Sequence, residues 1–184
     1  MLQRIGRRIQ AVIGRGRVTV SNDAGPAQLL QVRLGPLETR DRTPRLAEFG
    51  FSSRPPEGAD AILVFMGGDR SNGVVIATGH QASRPKGLEV GETIVYDLFG
   101  RSIHFTKDGA IAIQANGTAV VLDGATTVTI HAAEKVRMET PLLEVTGDIA
   151  AGGNVSDSVR SMAADRVKYN QHTHGGGATP VPQQ

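Results

Sequence analysis

Apolar residues two apart recur along the second half of the chain. From Arg101 to Gly153 the pairs are Ile103/Phe105, Ile111/Ile113, Val120/Leu122, Val128/Ile130, Val136/Met138 and Leu143/Val145. Pair starts fall roughly seven to eight residues apart, the length of a short strand plus a turn. Residues i and i+2 of a strand face the same side, so each pair marks one buried face. Gly109, Gly117, Gly124 and Gly147 lie between pairs, where the chain must turn. A unit this short cannot bury its apolar face alone and must stack on neighbours. Phe105 is the only aromatic residue of the stretch, which suits a narrow core without room for rings. Apolar positions are also too few per turn to fill a single-chain solenoid. Three identical strands around an axis would close such a core without long free edges. An ordinary meander sheet in a globular domain is the plainer alternative.

The first half carries a different pattern. Leu2, Ile5, Ile9, Val12 and Ile13 fall at three- and four-residue spacing beside Arg4, Arg7 and Arg8. This predicts a short amphipathic helix over Met1 to Ile13, ended by Gly14 and Gly16. It is read as a docking helix for a neighbouring subunit, a helix closing its own barrel, or a membrane-surface helix. GRVTVSND, AQLLQVRL, AEFGFSS, DAILVFMGG and NGVVIATG then read as strands broken by Asn-Asp, Gly-Pro, Pro-Pro and Gly-Gly. Short strands at this spacing predict a small closed barrel, most simply of OB type. Residues 60–80 form its best hairpin, with Gly67 to Gly73 as the loop. Phe49, Phe51 and Phe65 lie in apolar runs and are assigned to the core. GGDRSNG has neither a following helix nor a Lys, so it reads as a turn rather than a phosphate loop. A further strand is predicted at Thr93 to Tyr96. At the other end, VSDSVRSMAADRVKYN reads as a short helix capped at Ser156 or Asp157, with Val159, Met162, Ala163, Val167 and Tyr169 on one face. The last residues, NQHTHGGGATPVPQQ, read as a turn and an extended or frayed tail.

Composition narrows this picture. Of 184 residues only 4% are aromatic, and 23 are Gly, which favours turns over a large conventional core. Cys is absent, so neither disulfides nor thiolate metal sites hold the fold, in keeping with synthesis in a reducing cytosol. No apolar run predicts a transmembrane helix, and the charged N-terminus lacks the apolar segment of a signal peptide. Residues 1–101 carry 14 Lys+Arg and 10 Asp+Glu, residues 102–153 carry 3 and 6, and residues 154–184 carry 3 and 2. A mildly basic head on a mildly acidic shaft lacks the concentrated basic stripe of a nucleic-acid binder. The expected organisation is residues 1–16 as a docking segment, 17–95 as the head, 96–153 as the shaft and 154–184 as the tip.

Candidate chemistry is confined to the end of the chain. His172 and His174 are two apart, so in an extended segment both imidazoles face the same way. One chain supplies two nitrogens, a poor site, whereas threefold symmetry supplies six. Zinc prefers four ligands, so six imidazoles point to iron or another octahedral first-row metal. Gly175 to Gly177 would let the chain reverse after the ligands. His80, His104 and His131 show no such pairing and read as ordinary loop or shaft-surface residues.

The β head, the short β repeat and a helix ending in YNQHTH together resemble the central spike of contractile-tailed phages, the Mu-type baseplate spike or baseplate assembly protein V family. The resemblance covers nearly the whole chain. It is carried in the head by GRGRVT, QVRLGPLETRD, AEFGFSS and GDRSNGVVIA, in the shaft by ATTVTI and EVTGDIAAGG, and at the tip by the His pair. It implies an all-β homotrimer with OB-fold heads, an intertwined triple-stranded β-helix shaft and a pointed tip. The spike sits in the virion tail baseplate, contacts baseplate and hub proteins, and pierces the host outer membrane when the sheath contracts. It also implies one iron ion per trimer, held by His172 and His174 from three chains, and leaves room for further tip ions whose ligands match no position here. Neither an enzyme activity, a small-molecule substrate nor a nucleic-acid partner is expected. Two other readings are a trimeric hub whose shaft is only a spacer, and a metal-dependent hydrolase using the C-terminal His. The hydrolase is disfavoured because six symmetric imidazoles leave no open position and no Asp or Glu flanks the pair.

Overall fold

The computed structural model describes residues 12–172. The chain is mostly sheet with little helix, and it divides into two compact units between Gly124 and Ala125. Each unit is considered by itself.

The first unit contains two antiparallel sheets. Strands β1 (Ile13–Asn22), β2 (Leu29–Gly35), β3 (Glu38–Pro44), β4 (Asp60–Phe65) and β5 (Gly73–Gly79) form the larger, in the order β3-β2-β1-β4-β5. Strand β1 is divided between two partners. Its first half pairs with β4, from Ile13–Val64 to Arg17–Asp60, and its second half pairs with β2, from Arg17–Arg33 to Asn22–Leu29. A bulge between Val18 and Val20 accompanies the change of partner. The two edges of the sheet also approach each other: Arg45 and Val75 form a parallel bridge, and the Leu46 N–H donates to the Val75 carbonyl at 3.0 Å.

The strands bury one face. Val18, Leu30, Val32, Ala61, Leu63, Phe65 and Val75 form the core together with Ala59 from the preceding loop. In β4 the buried residues alternate as Ala61, Leu63 and Phe65, the period-2 pattern of a half-buried strand. Phe65 is the largest of these side chains, and glycines make room for it. A methyl group added to Gly14 or to Gly73 would stand 2.9 Å from the ring. Gly16 is as tightly placed, since a Cβ there would meet the Arg33 carbonyl oxygen at 2.4 Å. The Arg70 guanidinium covers the Phe65 ring at 4.1 Å from its centroid. Arg70 also donates to Glu38 Oε1 (2.5 Å from Nη2, 3.0 Å from Nε), which accepts from Arg40 as well (2.7 Å from Nη2). One carboxylate thus links the β2–β3 hairpin to the β4–β5 loop.

Several expectations are met in detail. The hairpin spans β4 and β5, and its connection is a 3-10 turn, Met66–Gly68, followed by an Asp69–Ser71 turn. The strand expected at Thr93 to Tyr96 is β6 (Thr93–Tyr96). It pairs with β7 (Ser102–Phe105), which pairs with β8 (Ile111–Gln114), giving a second sheet of three strands.

Other expectations are corrected. The helix predicted over Met1 to Ile13 lies mostly outside the described residues, but Ile13, Gly14 and Gly16 belong to β1. The two glycines are close-approach positions in a strand, not helix stops. AEFGFSS is a loop, and Phe49 and Phe51 are exposed rather than core. The strand found instead is the charged β3, whose one buried side chain is Thr43. It carries a bulge at Arg42, which has φ of 51°.

From Ala115 to Arg160 the chain forms no strand or helix of its own. Val120, Leu122, Val128, Ile130, Val136, Met138, Leu143 and Val145 are all exposed. Among the described residues of the second unit the one helix is α1 (Met162–Gln171). It begins later than expected and is capped by Ser161, whose Oγ accepts from the Ala164 N–H at 3.2 Å, not by Ser156 or Asp157. Asp157 instead accepts from the Val159 and Arg160 N–H groups in the turn before it (2.8 and 2.9 Å).

Two tests follow from the head. Gly14→Val should force the Phe65 ring out of its slot and cost about 1–3 kcal/mol of stability, the usual range for overpacking; denaturant unfolding reads it, and an unchanged midpoint would refute the slot. The second concerns Glu38. Its hydrogen bonds from Arg70 and then Arg40 hold its carboxyl below the usual range of about 4.5. A lowered folded-state value means that this stabilisation is complete above the unfolded value and disappears as pH falls through the folded one. Glu38→Gln should therefore lower the melting temperature at neutral pH, and the difference from wild type should shrink as pH falls below the ordinary carboxylate value of about 4.5. The side chain is about a third exposed, so the effect stays below about 1 kcal/mol.

Candidate functional site

Of the two sequence-predicted residues, His172 sits at the end of α1. The helix starts at the Ser161 cap, with Asp165 in its first turn and Lys168 in its last, each suited to the helix dipole. Arg160 pairs with Asp165 across the start of the helix. His172 is the C-cap residue. Its backbone is extended (φ −73°, ψ 148°), and its N–H donates to the Tyr169 carbonyl at 3.4 Å. The imidazole folds back against the same turn. Its Nδ1 lies against the Tyr169 carbonyl oxygen, and the two rings are 5.1 Å apart, inclined at 53°.

That contact bears on metal binding. A carbonyl oxygen only accepts, so Nδ1 carries the hydrogen and the ring's lone pair lies on Nε2. An Nδ1–H held by a backbone carbonyl is the usual support of a histidine that ligates through Nε2. The donor chemistry of His172 therefore fits a first-row metal. His174 lies outside the described residues. Among the described residues no group of three or more His, Asp or Glu side chains could hold a metal ion within one chain. An open groove beside the helix is lined by Arg160, Met162, Asp165, Lys168, Tyr169 and His172.

The remaining histidines divide. His80 Nδ1 meets Ser83 Oγ at 2.9 Å in a turn, and His131 is exposed, both as expected. His104 is not a loop or surface residue. It lies on β7, half-buried, with Nε2 3.3 Å from Glu92 Oε2. Glu92 accepts backbone hydrogen bonds from Lys107 and Glu89, which lower its pKa. No sequence signal pairs His104 with Glu92, because the β6–β7 register brings them together. Sequence reasoning also passed over the exposed apolar surface of the first unit, where Phe49, Phe51 and Leu37 project from loops.

These features define a class: a structural β protein, in which packed sheets are followed, after Gln114, by a long apolar repeat without strand partners of its own. The comparisons make the class specific. Residues 15–82 match the model of the family "Bacteriophage Mu Gp45, N-terminal". Over its full length the chain is 32% identical to the "Baseplate puncturing device gp45" of Escherichia phage Mu and covers 94% of that protein. It is 28% identical to the "Mu-like prophage FluMu protein gp45" of Haemophilus influenzae, across 96% of this chain and 93% of the relative. The chain belongs to the Mu Gp45 family of baseplate spike proteins, and it is a structural protein, not an enzyme.

Proposed function

We propose that this chain is the subunit of a homotrimeric central spike, carried at the virion tail baseplate, that pierces the host outer membrane when the tail sheath contracts. The observation that carries the reading is the end-to-end match to a baseplate puncturing device, in a chain whose apolar repeat finds no strand partner in itself beyond Gln114. An unpaired repeat costs free energy twice, through exposed apolar area and through unpaired backbone groups. Two further copies in the same register would remove both costs, which supports an intertwined triple-stranded β-helix over residues 96–153. The partner switch in β1 and the Arg45–Val75 bridge support closure of the head, residues 17–95, as an OB-type barrel. Its docking surface, with residues 1–16, would meet hub and baseplate proteins. Synthesis takes place in the host cytoplasm, before assembly into the tail.

The tip, residues 154–184, is the point of the spike. His172 and His174 from three chains hold one iron ion in this reading. Bound there, the ion cross-links three Gly-rich chain ends. Within each chain α1 and its Ser161 cap set where His172 emerges, and the Tyr169 carbonyl fixes which ring nitrogen is presented.

Light scattering of the full chain should return the mass of three copies, and Val128→Asp, which places three uncompensated charges at the axis, should abolish the trimer; a stable, folded monomer at micromolar concentration refutes the assembly. Elemental analysis decides the tip: protein purified without chelators should hold one iron per three chains. The His172→Ala/His174→Ala variant should lose the metal while keeping its trimeric mass. Metal-free wild type, or a variant that keeps its iron, refutes the site.

A further inference from the structure

The outer face of the head sheet carries a row of side chains set by register. Thr39 lies opposite Arg33, Arg33 opposite Arg17, Arg17 opposite Asp60, and Asp60 opposite Gly79, so the row crosses the sheet from β3 to β5. Directly opposed residues share a face, as do residues two apart on one strand, so Arg15 stands on this face beside Arg17. It is the side away from the core, since the buried residues are Val18, Val32 and Ala61, the strand neighbours of Arg17, Arg33 and Asp60. Arg15, Arg17, Arg33 and Asp60 border one open depression. Three guanidiniums there share one carboxylate. Asp60 Oδ1 lies 3.6 Å from Arg15 Nη2 and 3.4 Å from Arg17 Nε. Its other oxygen, Oδ2, accepts from the Gln81 amide at 2.6 Å. Arg17 Nη1 donates to the Gly58 carbonyl at 2.8 Å. Arg33 forms no ion pair among the described residues, and the β3 carboxylate of Glu38 is taken up by Arg40 and Arg70. Like charges directly opposite each other destabilise a sheet. Arg17 and Arg33 are such a pair, and the one carboxylate of the row stands on the far side of Arg17.

We propose that this face is an electrostatic docking surface for an acidic segment of a partner protein. Arg33 and Arg15 receive its carboxylates, and Arg17, held by Asp60 and Gly58, keeps the two apart. The proposal rests on the reading of the head as a docking platform and names the chemistry of what it meets. The arginines are reachable, with side chains 69% exposed at Arg15 and 56% at Arg17. The row is low at both ends, with Thr39 on one edge strand and Gly79 on the other. Strands lie about 4.8 Å apart and residues two apart on a strand about 6.7 Å, so the three arginines start from Cα positions within about 10 Å of one another. A guanidinium is a planar fork that matches a carboxylate with two parallel hydrogen bonds. Two carboxylates from one short segment would neutralise the patch and bridge the opposed arginines. Nucleic acid fits it less well. Phosphate tracking takes a longer run of cations, and Asp60 in the middle of the face repels a phosphate backbone. Charge complementarity of this kind speeds encounter and fixes register, as suits parts that assemble from solution.

The test is the binding of a fluorescein-labelled poly-glutamate peptide to the full-length protein, read by anisotropy at low salt. Wild type should bind it, and the binding should weaken as salt is raised. Arg33→Gln should weaken it about two- to fivefold, and Arg15→Gln/Arg33→Gln roughly tenfold, the ranges of one and two exposed ion pairs. Lys86→Gln removes the same charge from an exposed loop off the sheet and should leave the affinity unchanged. Arg33→Gln should also raise the melting temperature at low salt, because it relieves the opposition to Arg17, and the gain should shrink at high salt. The docking surface is overturned by a wild type that does not bind, by an equal loss from Lys86→Gln, or by a melting temperature that Arg33→Gln lowers. Tighter binding of a duplex DNA oligonucleotide through the same arginines overturns it as well. Light scattering of the same samples keeps this result apart from the spike reading. A trimeric mass with any of these failures overturns the docking surface alone. A monomeric mass with peptide binding that depends on Arg33 overturns the trimer and upholds the docking surface.

Discussion

The Phe65 ring sets the geometry of the head. It is the largest fully buried side chain, and it fits only because β1 and β5 each present a glycine to it. A core packed at crystal density has no slack for an extra methyl group beside such a ring. The two strands flanking β4 are therefore held at the distance that bare Cα positions allow. Arg70 then lies on the ring, and its guanidinium, already oriented, receives Glu38 from the β2–β3 hairpin. A single ring thus connects four strands and the β4–β5 turn. The ion pair alone would be worth little at a third exposure. Its contribution is to hold a hairpin that contributes only one buried residue of its own from β3.

The rest of the chain obeys the opposite condition. The head satisfies its apolar face within one copy. From Val95 to Val145 the large apolar side chains stay exposed, and from Ala115 to Arg160 the backbone forms no strand either. Leaving that surface in water is unfavourable by roughly 25 cal/mol per Å², which over so many Val, Ile and Leu side chains exceeds the stability of an ordinary domain. The proposed trimer is the arrangement that would remove this cost.

Much of this organisation was legible in the sequence. The β4–β5 hairpin and β6 were readable because alternation and Gly-rich turns are local signals. The apolar repeat was readable as a pattern because its period is fixed. β3 was not readable, since Glu38, Arg40 and Arg42 look like loop residues when no neighbouring strand is in view. Phe49 and Phe51 misled for the converse reason: aromatic residues in an apolar run look like core, yet their loop projects away from it. The helix start was misplaced by five residues at most, because Ser156, Asp157 and Ser161 are all competent caps and only the turn at Asp157 decides among them.

What the sequence determined by itself was therefore periodicity: where apolar residues alternate, where turn residues break them, and that one half of the chain carries more apolar positions than it can bury. What only the tertiary structure decided was proximity. Gly14 and Gly16 read as helix stops until β4 and β2 are placed beside them. His104 reads as a surface residue until the β6–β7 register sets it against Glu92. Val95 reads as unrelated to the repeat pairs Ile103/Phe105 and Ile111/Ile113 until pairing aligns it in one row with Ile103 and Ile113. Each depends on contacts between segments separated along the chain, and local pattern holds no information about which distant backbone will arrive next to it.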